Sequence, residues 1–142
     1  MQNKEKVKRN KVILCVDDEK LMLAALSRIL RKFSYEVVTC DNGEEAIKIA
    51  ASRFLDLIIL DLWMPGKNGF EVLEEIRKQG NEQVPVVFLT GDVSKDNLLK
   101  GYDKGCQYYI SKPFNPDYVT NIVEYLIGDL PEEERQKLEI KL

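Results

Sequence analysis

Histidine is missing from the 142 residues, and with it go histidine-based acid–base catalysis, histidine-activated nucleophiles and most zinc sites. Cysteine is scarce: Cys15, Cys40 and Cys106 are far apart and no CxxC joins them. An odd, dispersed set reads as small buried hydrophobes with no redox or metal role. Long apolar runs are lacking too, since charge interrupts each one well before the roughly 20 residues of a membrane helix. No membrane association is expected. A basic surplus is also wanting, because 21 Lys and Arg stand against 24 Asp and Glu, a net charge of −3. A surface that neutralises the phosphates of nucleic acid is therefore not expected, and no basic recognition helix stands in the sequence. The amino end, "MQNKEKVKRNK", is basic but has no apolar signal core, so a cytoplasmic address is expected, with residues 1–10 a solvated arm. Chemistry in this chain has to run on carboxylates, lysine and hydroxyls.

What is present is an ordinary globular balance, 44% apolar and 32% charged, in a length that suits one core. Short apolar runs alternate with helix-length amphipathic segments, which predicts βα units and a parallel sheet. The runs are Val12 to Val16, Glu36 to Cys40, Leu57 to Leu60, Val84 to Leu89 and Tyr108 to Ile110. Between them Leu23, Leu26, Ile29, Leu30 and Phe33 recur at helical spacing, as do Ala46, Ile47 and Ala50, then Val72, Leu73 and Ile76. Leu98 and Leu99 mark a weaker helix, and Tyr118, Val119, Ile122, Val123 and Leu126 a final one. Five strands and five helices make one α/β unit over 11–128.

Four of the strands run into polar groups: "DDE" (Asp17 to Glu19), Asp61, "TGD" (Thr90 to Asp92) and "SKPF" (Ser111 to Phe114). In an open parallel sheet the carboxyl ends share one edge, where ligands bind. An acid pair, a single acid, a hydroxyl and a lysine therefore converge. Two carboxylates ~4 Å apart repel by about 4 kcal/mol at an effective dielectric near 20, so the cluster must protonate or hold a cation. Hard oxygen ligands suit Mg²⁺, and no DxDxDG loop points to calcium. Around a phosphoryl group the parts make sense: the lysine neutralises its oxygens, the threonine donates to one, and Asp61 is the candidate nucleophile.

Together "ILCVDDE", "LIILDLWMPGKNGFEVLEEIR", "VPVVFLTGD" and "GCQYYISKPF" resemble, in order and spacing, the response-regulator receiver domain of two-component signalling. The resemblance implies a doubly wound, flavodoxin-like (βα)5 fold with strand order 2-1-3-4-5. It implies that Asp17 and Asp18 are the acidic pair for Mg²⁺, that Asp61 is the phosphoacceptor and that the backbone carbonyl of Trp63 is a further ligand. Thr90 becomes the switch hydroxyl, Tyr109 the switch aromatic and Lys112 the phosphate-pairing lysine, with a cis Lys112–Pro113 bond. The positions flanking the hydrolysing water are Trp63 and Asp92. A large Trp63 is expected to prolong the acyl phosphate, while Gly91 leaves room on the other side. The implied donor is a sensor histidine kinase or a histidine phosphotransfer protein, since the chain has no histidine of its own. The implied output is the surface of the fourth helix, fifth strand and fifth helix. It leaves room for a downstream effector domain or protein and for a phosphorylation-linked homodimer.

Singly, each residue has a plainer reading: Asp61 a turn cap, "DDE" a helix start, Lys112 a surface lysine, Thr90 a turn residue, Tyr109 a rim aromatic. Jointly, four strand ends with complementary groups favour the site. Haloacid-dehalogenase-like phosphohydrolases also use a strand-end aspartate with Mg²⁺, but their DxDx[TV] pattern fails here, where Trp63 stands at the second acid. The chain is thus expected to signal by its own phosphorylation and dephosphorylation rather than act as an enzyme on a free substrate. A receiver that only binds partners is the third reading, opposed by the intact acids, Thr90 and Lys112. Beyond Gly128 as a helix stop, Asp129 as N-cap, Pro131 and three acids start a further helix over 129–142. With Leu138 and Leu142 one turn apart and nothing to pack on, it reads as a truncated linker. A short amphipathic cap on the same domain fits equally.

Overall fold

A computed structural model describes residues 10–81 and 83–142; all but the last residue of the expected basic arm therefore lies outside the described residues. The chain alternates β1 (Val12–Val16), α1 (Lys20–Arg31), β2 (Glu36–Cys40), α2 (Gly43–Ser52), β3 (Leu57–Asp61), α3 (Gly69–Lys78), β4 (Val86–Thr90), α4 (Lys95–Asp103), β5 (Tyr108–Ser111) and α5 (Pro116–Ile127), then adds α6 (Glu132–Lys141). The five strands form one parallel sheet in the order β2-β1-β3-β4-β5, the flavodoxin-like order.

Buried on both faces, β1, β3 and β4 read as unbroken apolar runs, as parallel strands under two helical layers must. Successive side chains point to opposite faces and split the core in two. Leu14, Ile58, Leu60, Val86 and Phe88 pack with α2 and α3 through Ala46, Val72, Leu73 and Ile76. Ile13, Cys15, Ile59, Val87 and Leu89 pack on the other face with Leu26 and Leu30 of α1 and Val119, Ile122 and Val123 of α5. The three cysteines are buried, and burial pushes their thiols up, Cys15 and Cys106 to about 12 and Cys40 to about 11, which leaves them unreactive at neutral pH.

Local chemistry sets the element ends. A capping box between Asn68 and Glu71 starts α3, Asn115 caps α5 ahead of Pro116, and Gly128 ends α5. Several boundaries differ from expectation. Phe33 lies beyond the end of α1 and is half-exposed, because the chain turns there through Ser34 at φ 68°. The fourth strand begins at Val86 rather than Val84, since Pro85 has no N–H to give the ladder and only its carbonyl accepts, from Ile58 N. Asp129 does not cap α6: Lys11 binds its carboxylate at 2.9 Å, and Pro131 takes the cap position.

Nor does α6 lack a surface. Arg135 Nε donates to the Tyr125 carbonyl at 3.0 Å, its guanidinium lies over the Tyr125 ring, and Tyr125 Oη donates to Glu139 at 2.7 Å. Leu142 reaches the core layer of α1 and α5. No helix among the described residues is long and apolar enough to cross a membrane.

Candidate functional site at the carboxyl edge of the sheet

Because β1, β3, β4 and β5 are consecutive neighbours and parallel, the residues at their carboxyl ends form a short row along one edge. Asp17 follows β1, Asp61 ends β3, Thr90 ends β4 and Lys112 follows β5. Asp17 and Asp61 are buried, Asp18 is exposed, and one carboxylate oxygen from each lies within 4.8 Å of the others.

Lys112 closes the cluster. Its Nζ stands 2.9 Å from Asp17 Oδ2, 3.0 Å from Glu19 Oε1 and 3.5 Å from Asp61 Oδ1. Burial pulls its pKa down, but contacts with Asp17 and Glu19 and the charge of Asp61 outweigh this and hold it above the ordinary lysine value. For Asp61 burial acts first and Asp17 second, and both raise it. Lys112 and the backbone N–H of Trp63 oppose them, and the carboxyl ends at about 7. One ammonium does not balance three acids.

Asp17 Oδ1 accepts from Glu19 N at 2.9 Å, whereas Asp17 Oδ2, fully buried, has no aligned hydrogen-bond donor. That buried oxygen faces the Lys112 ammonium at 2.9 Å, and with two further hard carboxylate oxygens beside it the cluster fits a divalent cation. The Lys112–Pro113 bond is cis.

Thr90 and Tyr109 sit on the far side of Asp61. The Thr90 hydroxyl accepts from Asp92 N at 3.0 Å rather than engaging the acids. Tyr109 is buried, its ring against Phe88 and its hydroxyl donating to the Asn97 carbonyl at 2.5 Å. Trp63 and Asp92, expected only to flank the same route, touch: Trp63 Nε1 donates to Asp92 Oδ2 at 2.9 Å. That bond, first among its causes, holds the Asp92 carboxyl below its ordinary range. A Cβ on Gly91 would meet nothing within 4 Å, so space remains beside Thr90.

The sequence reading passed over Glu19, Asn97 and Gly101. Glu19 had a signal, its place directly after the acid pair, whereas Asn97 and Gly101 stand inside a helix with none.

Residues 13–124 match the response regulator receiver domain family. Two Bacillus subtilis proteins are similar in sequence: the alkaline phosphatase synthesis transcriptional regulatory protein PhoP, 36% identical over 118 residues, and the transcriptional regulatory protein ResD, 37% over 115. These alignments cover 83% and 81% of this chain and 49% and 47% of those proteins, so the chain spans about half the length of the curated relatives it matches. Among solved structures, the Vibrio cholerae chemotaxis protein CheY4 superposes with a TM-score of 0.80 at 30% identity, over 84% of this chain and all of that one (100%). The receiver domain of sensor histidine kinase PA1611 from Pseudomonas aeruginosa, described with a magnesium ion coordinated in its active-site cleft, gives 0.78 at 27%, over 85% of this chain and 100% of that one. Fold, matched span and relatives agree: the chain belongs to the response-regulator receiver domain family.

Proposed function

We propose that Asp61 accepts a phosphoryl group from a phosphohistidine on a sensor histidine kinase or a histidine phosphotransfer protein. The observation that carries this reading is a buried carboxylate at a strand end, flanked by two further acids and by the Lys112 ammonium at 3.5 Å. An Asp61 oxygen attacks phosphorus while the phosphorus–nitrogen bond of the donor breaks, the electron pair stays on the ring nitrogen, and an acyl phosphate results. Lys112 is poised to offset charge on the transferring oxygens. Asp17, Asp18, Asp61 and the Trp63 backbone carbonyl would hold Mg²⁺, which when bound supplies further positive charge to those oxygens.

Thr90 is the group that would turn to the phosphoryl oxygens, and Tyr109 the aromatic that reports the change to α4, β5 and α5. Tyr109 already occupies its inner seat on Asn97, so phosphorylation is read as selecting an arrangement that the fold can adopt. The same face is the candidate contact for an effector or a second phosphorylated copy. Residues 11–128 form the proposed receiver unit in the cytoplasm, with 129–142 a helical extension on α5.

The test is intact-mass measurement after exposure to acetyl phosphate and Mg²⁺, beside an Asp61→Asn control. One phosphoryl group gained by the parent alone supports the assignment. An adduct on both proteins places the acceptor elsewhere, and none on either, with rapid quenching, favours a phosphorylation-independent binding module.

A further inference from the structure

Trp63 lies on the loop after β3 and Tyr109 within β5, yet two separate rows of side chains join them. The apolar row runs Trp63, Phe70, Phe88, Tyr109, with ring centroids 5.9, 5.6 and 5.4 Å apart. The polar row starts at Asp92, whose Oδ2 accepts from both Trp63 Nε1 at 2.9 Å and Asn97 Nδ2 at 2.7 Å. It continues through Asn97, whose backbone carbonyl takes the Tyr109 hydroxyl. Asp92 N in turn donates to the Thr90 hydroxyl. One carboxylate oxygen thus ties the indole across the loops flanking Asp61 to the residue on which Tyr109 is seated.

The seat itself is tight. A Cβ on Gly101 would lie 2.1 Å from the Tyr109 hydroxyl oxygen and 2.8 Å from its Cζ, so the inward ring requires a glycine there.

We propose that Trp63, Asp92 and Asn97 form one latch, with Asp92 and Asn97 as positioning residues, so that the lifetime of the acyl phosphate and the inward seat of Tyr109 are set together. The inference rests on Asp61 being the phosphoacceptor, and it goes further by making two properties of the site depend on one contact. With the latch made, the indole spans the mouth of the site and obstructs water while Asn97 presents its carbonyl to Tyr109. With the latch broken, the indole swings free and the start of α4 loses its tie to the Asp61 edge. Coupling between the two equilibria is reciprocal, so a shift in the seat of Tyr109 shifts the latch and a shift in the latch shifts the seat.

The chain has one tryptophan and six tyrosines, which makes both ends readable. The experiment uses Trp63→Phe, Asn97→Ala and Gly101→Ala beside the parent. Tyr109 exposure is read as nitration by tetranitromethane, located by peptide mass, and acyl phosphate decay is followed after loading with acetyl phosphate and Mg²⁺. Trp63→Phe, which does not touch Tyr109, is expected to raise Tyr109 nitration about two- to tenfold, the span one hydrogen bond supports. Gly101→Ala, which touches neither Trp63 nor Asp61, is expected to shorten the phosphate lifetime by a similar factor and to shift Trp63 emission. Asn97→Ala keeps the backbone carbonyl and should do both, which covers the case in which Gly101→Ala fails to fold. Unchanged nitration in Trp63→Phe and Asn97→Ala overturns the latch. A parent that takes up no phosphoryl group overturns the phosphoacceptor reading instead, and nitration and emission still decide whether the two ends are coupled.

Discussion

Folding moves the Asp61 carboxyl from 3.8 to about 7, because burial and Asp17 act on it together. Between those values the folded chain keeps a proton that the unfolded chain has lost. Stability from this group is therefore fully present below about pH 4 and is lost as pH rises through about 7. Asp61→Asn removes that penalty, so in chelator at pH 8 the variant is expected to melt above the parent, and near pH 4 the gap should close. The displacement sets a ceiling of roughly 4 kcal/mol on the gain. Mg²⁺ at pH 8 should raise the melting temperature of the parent more than that of Asp61→Asn, and chelator should reverse it. A variant that melts no higher than the parent in chelator at pH 8 would show that Asp61 is not strained there. Lys112→Ala carries the opposite sign: it leaves Asp17 buried without its counter-ion at 2.9 Å, and is expected to lower urea-measured stability by about 3 kcal/mol.

Elements hold these residues in place through their ends. Gly69 opens α3 where its N–H reaches the Leu62 carbonyl at 2.7 Å, and a Cβ there would meet the Asp61 carbonyl oxygen and Phe88 Cε1 at 2.8 Å. One of those neighbours is backbone and cannot move cheaply. Gly69→Ala is expected to cost about 2–3 kcal/mol and to disturb Asp61, visible as a lower urea midpoint together with slower phosphoryl uptake. Asn68→Ala removes only the capping box and should cost about 1 kcal/mol with uptake little changed. Most element bodies were legible in the sequence because helical spacing and strand-length apolar runs record which face is buried. The ends were less so. Phe33 fits the helical spacing of α1 and lies outside it, and Asp129 has the chemistry of a cap but is taken by Lys11, 118 residues away.

Across the whole molecule, four neighbouring strands end at one edge while α4, β5 and α5 present another surface. A receiver driven from mostly one arrangement to mostly the other needs around 5.5 kcal/mol of differential stabilisation. On the proposed reading, a single contact such as the Tyr109 to Asn97 bond tunes that balance rather than supplies it. Amino-acid order carried the strand-end chemistry: Asp17, Asp18, Asp61, Thr90 and Lys112 could be placed along one edge because parallel strands send every carboxyl end the same way. It carried the two-sided core as well, through unbroken apolar strands between amphipathic helices. Folding alone decided the rest. Glu19 joins Lys112, Trp63 meets Asp92 across 29 residues, Tyr109 rests on Gly101, and α6 lies on Tyr125. Those contacts depend on side-chain rotamers and on where loops return in space, and local spacing records neither.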